Sequence, residues 1–157
     1  MVLAVPNDWE GVNSLADLLE QFWRRGKGVR ISTEYLNTAV QYVKSNPIYA
    51  TEFGNAAPLV ITPWWKMGDN SKVSIFLSFG ATEAKPPENA DAIIEVVETG
   101  STLEQNNLKI IDTLAESTAV LIANRKALHD LEKREKIYDI LTLLKGVVDG
   151  RKKLHSF

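Results

Sequence analysis

One segment concentrates the chemistry of this chain: Asp91-Ala-Ile-Ile-Glu95-Val-Val-Glu98-Thr99-Gly100-Ser101-Thr102-Leu103. An apolar stretch ends in acidic residues, and Thr-Gly-Ser-Thr follows at once. Gly100 lets the chain turn tightly and lets a ligand approach the backbone. Thr99, Ser101 and Thr102 add hydroxyl donors, and the helix start predicted there favours an anion. Such a segment can cradle a phosphate. Glu95 and Glu98 would repel phosphate, but they suit ribose hydroxyls or a magnesium ion, so a phosphorylated sugar satisfies both halves. A plainer reading stays open at this point: strand-to-helix junctions often carry Thr, Gly and Ser as caps and turns. The segment is not a P-loop, because it lacks the lysine and the glycine spacing, nor is it a dinucleotide fingerprint.

The elements that would position it follow from hydrophobic patterning. Val2 to Val5 reads as a buried strand leaving the sheet at Pro6. Ser14-x-x-Asp17 resembles a capping box, followed by Leu15, Leu18, Leu19 and Phe22 at helical spacing. Gly26 and Gly28 end that helix, and Val29 to Ser32 is a second strand. A helix over Asn37 to Lys44, with Val40 and Val43 inward, stops before Pro47. This strand-helix alternation is the rhythm of an α/β layer fold. Leu59 to Ile61 and Val73 to Phe79 read as strands, Ala81 to Lys85 as a short helix, and Ala92 to Val97 as the strand entering the key segment. Ser101-x-x-Glu104 offers a capping box for the next helix. Ile110 to Ala123 carries β-rich apolar segments interrupted by Glu116. From Asn124 to Val148 a long helix is predicted, with Ile137, Ile140, Leu141, Leu144, Val147 and Val148 in one stripe and Glu132 paired with Lys136. Trp64 and Trp65 are adjacent, so on a strand they would face opposite ways. Either they form an exposed patch, or one is core and the other lies against a loop.

Composition narrows the function classes. The chain has 157 residues, no cysteine and two histidines, which excludes disulfides and Cys-based zinc sites. Its net charge of −2 argues against nucleic acid as a partner. The charge is uneven: residues 1–108 hold 8 basic and 13 acidic side chains, and the remainder 10 basic and 7 acidic. Two basic clusters, Arg24, Arg25, Lys27 and Arg30, then Arg151, Lys152 and Lys153, read as solvated faces with phosphate contact as the alternative. His129 reads as a surface or capping residue, and His155 falls in the tail. Lys85, Tyr35 and Asn37 are minor candidates for a cleft. No apolar run approaches the roughly 18 residues of a membrane span, and the start lacks the pattern of a secretory signal. A cytoplasmic protein with no membrane partner is expected.

A series of matches in order is more specific than any single motif. Gly80-Ala-Thr-Glu-Ala-Lys85, Ala90-Asp-Ala-Ile-Ile-Glu95 and Glu98-Thr-Gly-Ser-Thr-Leu103 resemble ATP phosphoribosyltransferase, the first enzyme of histidine biosynthesis. The likeness continues through Asn107 to Leu114, Glu116 to Asn124, Glu132 to Lys136 and Leu144 to Val147. Leu3 to Pro6, Arg30 to Glu34 and Asn37 match more loosely. The resemblance implies a Mg²⁺-dependent transfer in which N1 of the ATP adenine displaces pyrophosphate from phosphoribosyl pyrophosphate. Thr99, Gly100, Ser101 and Thr102 would hold the 5′-phosphate, with Glu95 and Glu98 toward the ribose and no catalytic residue assigned.

It also implies an α/β fold: a three-layer, periplasmic-binding-protein-like lobe with a mixed sheet and a long C-terminal helix. Residues 1–110 would form the second-lobe-like phosphoribosyl pyrophosphate-binding domain. Residues 111–157 would be the crossover strand and helix returning to a first lobe. The family's first-lobe residues and C-terminal regulatory domain have no match, so the chain is expected to be incomplete alone. It would act as a homo-oligomer or with a partner supplying that lobe. A non-catalytic phosphate- or nucleotide-binding module, or an oligomerisation module, is the alternative. Residues 46–72 differ from the family's shorter link.

Overall fold

The computed structural model of the chain describes residues 1–154, with side chains described through residue 150. His155, and the side chains of Arg151, Lys152 and Lys153, lie outside what is described. The chain divides into two units, residues 1–117 and 118–157.

The first unit is built on a seven-stranded mixed sheet. Its strands are β1 (Val2–Pro6), β2 (Val29–Thr33), β3 (Pro58–Ile61), β4 (Lys66–Met67), β5 (Asn70–Leu77), β6 (Ala92–Glu95) and β7 (Leu108–Thr113). The spatial order is β4-β3-β5-β2-β6-β1-β7. Strand β2 runs parallel to β5 and β6, and β3 runs parallel to β5. Strand β1 is antiparallel to both β6 and β7. The strands β2, β3, β5, β6 and β7 therefore all point their carboxyl ends to one edge.

Three helices cover one face: α1 (Leu15–Arg24), α2 (Leu36–Ser45) and α3 (Pro47–Phe53). Their apolar stripes meet Leu3, Val5, Ile31, Val60, Val73, Ile75 and Ile94 in the main core. A smaller core on the other face joins Val2, Ala4, Ile93 and Leu108 to Leu103 of α4 (Ser101–Gln105). The result is three layers, with the sheet in the middle, as the resemblance implies.

Local signals account for most element ends. Ser14 caps α1, accepting from the Asp17 N–H at 3.1 Å. Asp17 returns the contact to the Ser14 hydroxyl and the Asn13 N–H, in place of the cap residue's own N–H that a capping box engages. The helix ends in a Schellman turn: Gly26, at φ +70°, donates to Trp23, and Lys27 donates to Phe22. Pro47 does stop α2, but it also opens α3, which the pattern did not reveal. Asn46 caps that helix by accepting from the Ile48 and Tyr49 N–H groups, and Pro47 fills the first position, where no N–H is needed.

Three expectations are corrected. The Ser101/Glu104 box does not form, because the cap position is Gly100, which has no side chain to accept. The β-rich reading of Ile110 to Ala123 holds only to Thr113. Strand β1 begins at Val2, so β7 runs out of partner there, and Leu114 and Ala115 donate to the Met1 carbonyl instead. The long helix does not start at Asn124. Asn124 caps a 3₁₀ turn over Arg125–His129, and α5 (Leu131–Leu154) starts only after Asp130.

Within the second unit, Asp130 accepts from the Lys133 N–H and pairs with its ammonium at 2.9 Å, which holds the carboxyl below its ordinary range. That pair, rather than Glu132 with Lys136, is the ion pair of α5 among the described residues. The apolar positions of α5 are open: Ile140, Leu141, Leu144, Val147 and Val148 are all exposed, and so is Leu143. His129 is exposed at the end of the 3₁₀ turn.

Candidate functional site

Loops leaving the carboxyl ends of parallel strands are where open α/β sheets bind ligands. Here that edge collects residues 34–35 after β2, 62–65 after β3, 78–82 after β5, and 96–100 after β6. All six sequence-predicted site residues stand there, at the end of β6 or just beyond it. Tyr35 and Asn37 lie at the same edge, at the cap and in the first turn of α2.

The edge is stitched together by short polar contacts. The Thr33 hydroxyl donates to the Ile94 carbonyl at 2.7 Å and accepts from the Tyr35 N–H. The Ser78 N–H donates to the Thr33 carbonyl. The Glu34 carboxylate accepts from the Gly80 N–H at 2.7 Å, and the Thr82 hydroxyl donates to that of Ser78. Two loops, those after β2 and β5, are thus tied together, and β2 is tied to the end of β6. At the other end of the same strands, Arg30 grips Asp91 with two guanidinium contacts, 2.8 and 3.1 Å, and also donates to the carbonyls of Pro87 and Glu88. Asp91 in turn accepts from the Arg30 N–H. Of the basic cluster, Arg30 is therefore a structural clamp rather than a solvated residue; the Asp91 contact raises its pKa above the ordinary value.

The key loop itself is exposed. Glu98, Thr99, Ser101 and Thr102 face solvent, Glu95 is half-buried, and one Glu95 oxygen accepts from the Val96 N–H at 2.8 Å. The Thr99 and Ser101 hydroxyls lie 2.9 Å apart. Gly100 sits at φ +81°, which disfavours any other residue, and a Cβ there would meet nothing within 4 Å. The loop therefore offers a row of hydroxyls around an uncrowded backbone. Among the described residues, no group of three or more His, Asp or Glu is arranged to hold a metal ion.

Sequence reasoning missed two features. Thr33, Glu34, Ser78 and Gly80 act as positioners; the signal for Thr33, Glu34 and Gly80 was that Arg30 to Glu34 and Gly80 to Lys85 belong to the matching segments, and Ser78 had none. The second is Phe79, which the pattern placed on a strand but which lies beyond the end of β5 and is exposed; of the two readings of the tryptophans, the exposed patch is the one observed. Trp64 and Trp65 lie in a turn, not on a strand, and both are exposed, so neither is core. Lys85 is half-buried beyond the 3₁₀ turn Thr82–Ala84. Away from this edge, a cavity of about 850 Å³ opens at the amino ends of the parallel strands, lined in part by Asp8, Glu10, Arg25 and Lys27.

A mixed sheet with its polar loops gathered on one edge defines an α/β lobe of periplasmic-binding-protein-like type. The chain belongs to the ATP phosphoribosyltransferase (HisG) family, which it matches over residues 1–146. It is 37% identical over 153 residues to the ATP phosphoribosyltransferase of Chlorobium phaeobacteroides, covering 98% of this chain and 41% of that protein. With the enzyme of Solibacter usitatus the identity is 54% over 79 residues, half of this chain and 27% of the other. The chain thus spans about two fifths of the length of the first of these relatives. Residues 46–72, which differ from the expected link, fall inside the family match and form α3, β3 and β4. A solved chain of the ATP phosphoribosyl transferase (HisG:HisZ) complex from Thermotoga maritima aligns over 96% of this chain and 56% of its own, at 24% identity and a TM-score of 0.44.

Proposed function

We propose that this chain supplies the phosphoribosyl pyrophosphate-binding lobe of an ATP phosphoribosyltransferase in histidine biosynthesis. The observation that carries the reading is the Glu95 to Thr102 loop, in a member of this family, at the strand edge where such sheets take ligands. Thr99, Ser101 and Thr102 hydroxyls, with the open backbone at Gly100, hold the 5′-phosphate. Glu95 and Glu98 meet the ribose hydroxyls.

The reaction joins N1 of adenine to C1 of the ribose as the bond from C1 to pyrophosphate breaks. No covalent nucleophile is required of the protein. Its work is alignment of the two substrates and stabilisation of departing charge. Mg²⁺, when bound, neutralises the pyrophosphate. Two carboxylates, Glu95 and Glu98, fit the usual way this ion is held, by one or two protein oxygens together with substrate phosphates and water.

Residues 1–110 form the binding domain in this reading, and residues 111–157 lead toward a first lobe. That lobe comes from a partner or another part of a longer protein. A cytoplasmic location follows from the substrates. No helix is long and apolar enough to cross a membrane among the described residues.

Titration calorimetry with phosphoribosyl pyrophosphate and Mg²⁺ tests the site, and saturable binding is expected. Formation of phosphoribosyl-ATP on adding a first-lobe polypeptide tests the reaction. Binding without turnover in that mixture would reduce the chain to a phosphate-binding module.

A further inference from the structure

The turn between β3 and β4 displays two tryptophans on a tightly built support. The Thr62 hydroxyl accepts from the N–H groups of Trp64 and Trp65 and donates to the Trp65 carbonyl, which also accepts from the Thr62 N–H. At the other end of the hairpin, Gly68 sits at φ +89° with so little room that a Cβ would stand 2.1 Å from the Pro58 carbonyl oxygen. The hairpin is held at both ends, and the rings are presented by an ordered backbone.

Trp64 is 73% exposed and Phe79 67% exposed. The two rings meet edge to face, with centroids 5.7 Å apart and planes at 86°. This geometry leaves ring faces open to solvent. Large aromatic side chains held out in water forgo the burial that ordinarily stabilises them, which points to a ligand rather than to folding.

Their place narrows the ligand. Trp64 follows β3 and Phe79 follows β5, so both stand on the same carboxyl edge as the Glu95 to Thr102 loop. Two strand spacings separate β5 from β6, about 10 Å, and three separate β3 from β6, about 14 Å. A sugar phosphate anchored on that loop, with a planar base brought to its ring carbon, covers this kind of distance. The residues between are the tied loops of Glu34, Ser78 and Gly80, which hold the separation constant.

We propose that Trp64 and Phe79 form the subsite for the purine ring of the acceptor nucleotide, the base stacking on the open face of Trp64 with the perpendicular Phe79 ring bracing it. The inference rests on the phosphoribosyl-transfer reading and gives the acceptor a subsite within this chain. Stacking on an aromatic face suits a purine and leaves its nitrogen edge free to point toward the sugar.

The test is calorimetric titration of the full chain, with Mg²⁺, against ATP, phosphoribosyl pyrophosphate and inorganic tripolyphosphate separately. Trp64→Ala is expected to weaken ATP binding about tenfold or more, and to leave the responses to the other two unchanged. Trp64→Phe should restore most of the loss, and Phe79→Ala should weaken ATP less than Trp64→Ala does. Unchanged ATP affinity in Trp64→Ala overturns the proposal, as does absence of ATP binding by the unaltered chain. An equal loss for tripolyphosphate also overturns it, because the effect would not come from the base. So does unchanged ATP affinity joined to loss of a sedimenting oligomer, which would assign the patch to contact between copies. The phosphate loop is judged separately, by phosphoribosyl pyrophosphate binding in Thr99→Val and Thr102→Val. Loss there, with ATP binding intact in Trp64→Ala, keeps the phosphoribosyl reading and removes the purine subsite.

Discussion

At Gly100 the backbone conformation and the proposed chemistry meet. Its φ of +81° disfavours a side chain, yet space at that point is open. Gly100→Val therefore strains the loop without forcing a clash in the core. The expected outcome is a modest fall in melting temperature and a loss of phosphoribosyl pyrophosphate affinity of tenfold or more by calorimetry. A second residue-scale prediction concerns Tyr42 of α2, whose hydroxyl donates to Asp112 of β7. Burial first, and then the hydrogen bond to that carboxylate, raise the phenol far above its ordinary value of 10.0. The folded state therefore keeps this proton where the unfolded chain releases it. The contribution is fully present below about pH 10 and is lost as pH rises from there toward the raised folded value. Chemical denaturation from pH 8 to 11 should show stability falling at the alkaline end. Tyr42→Phe should be less stable at pH 8, by about 1–3 kcal/mol, with a shallower alkaline fall.

Elements depend on contacts that join distant parts of the chain. Arg30 binds Asp91 and two loop carbonyls together, so it anchors the far end of the connection from β5 to β6, where β6 begins, at the sheet edge opposite the candidate site. Arg30→Lys keeps the charge but not the planar fork. It should cost about 2 kcal/mol in denaturant unfolding, a loss typical of hydrogen bonds to a charged group. Gly68→Ala should unseat the β3–β4 hairpin, because the added carbon meets backbone rather than a side chain. A loss of about 1–3 kcal/mol is expected from the disfavoured φ alone, together with weaker ATP binding if the hairpin carries the purine subsite. Element positions were largely legible in the sequence: β1, α1, β2 and α2 lie within a residue or two of their expected bounds. The misses have different causes, one local and one not. Helix α3 depends on a proline that both stops one helix and starts the next, a local signal that reads two ways, whereas the end of β7 depends on where its neighbour β1 begins, which no local pattern records.

At the scale of the whole molecule, the two units differ in how they satisfy their apolar residues. Residues 1–117 bury theirs between helices and sheet, whereas α5 leaves Ile140, Leu144 and Val147 in water. An exposed apolar stripe of that length marks an interaction surface. Sedimentation of the full chain should depend on concentration, and Leu144→Glu with Val147→Glu should abolish the dependence. A chain ending at Ser117 should still unfold cooperatively and bind phosphoribosyl pyrophosphate. Loss of cooperative unfolding in that truncation would show that the first unit leans on the second.

The sequence by itself determined the family, the α/β rhythm and the candidate loop, because each is carried by residue types at short spacing. Val, Ile and Leu periodicity sets strands and helices locally, and Thr-Gly-Ser-Thr after an acidic strand end marks a candidate loop without long-range partners. Only the tertiary structure decided which loops share an edge with it. The parallel run of β2, β3, β5 and β6 brings Glu34, Ser78 and Gly80 to the same sheet edge as Glu95 from positions up to 61 residues apart along the chain. It also joined Trp64, whose exposure the sequence left open, and Phe79, which the pattern placed on a strand, into one exposed pair. Pairing of strands distant in sequence, and the solvent left uncovered after packing, are global outcomes that no local spacing encodes.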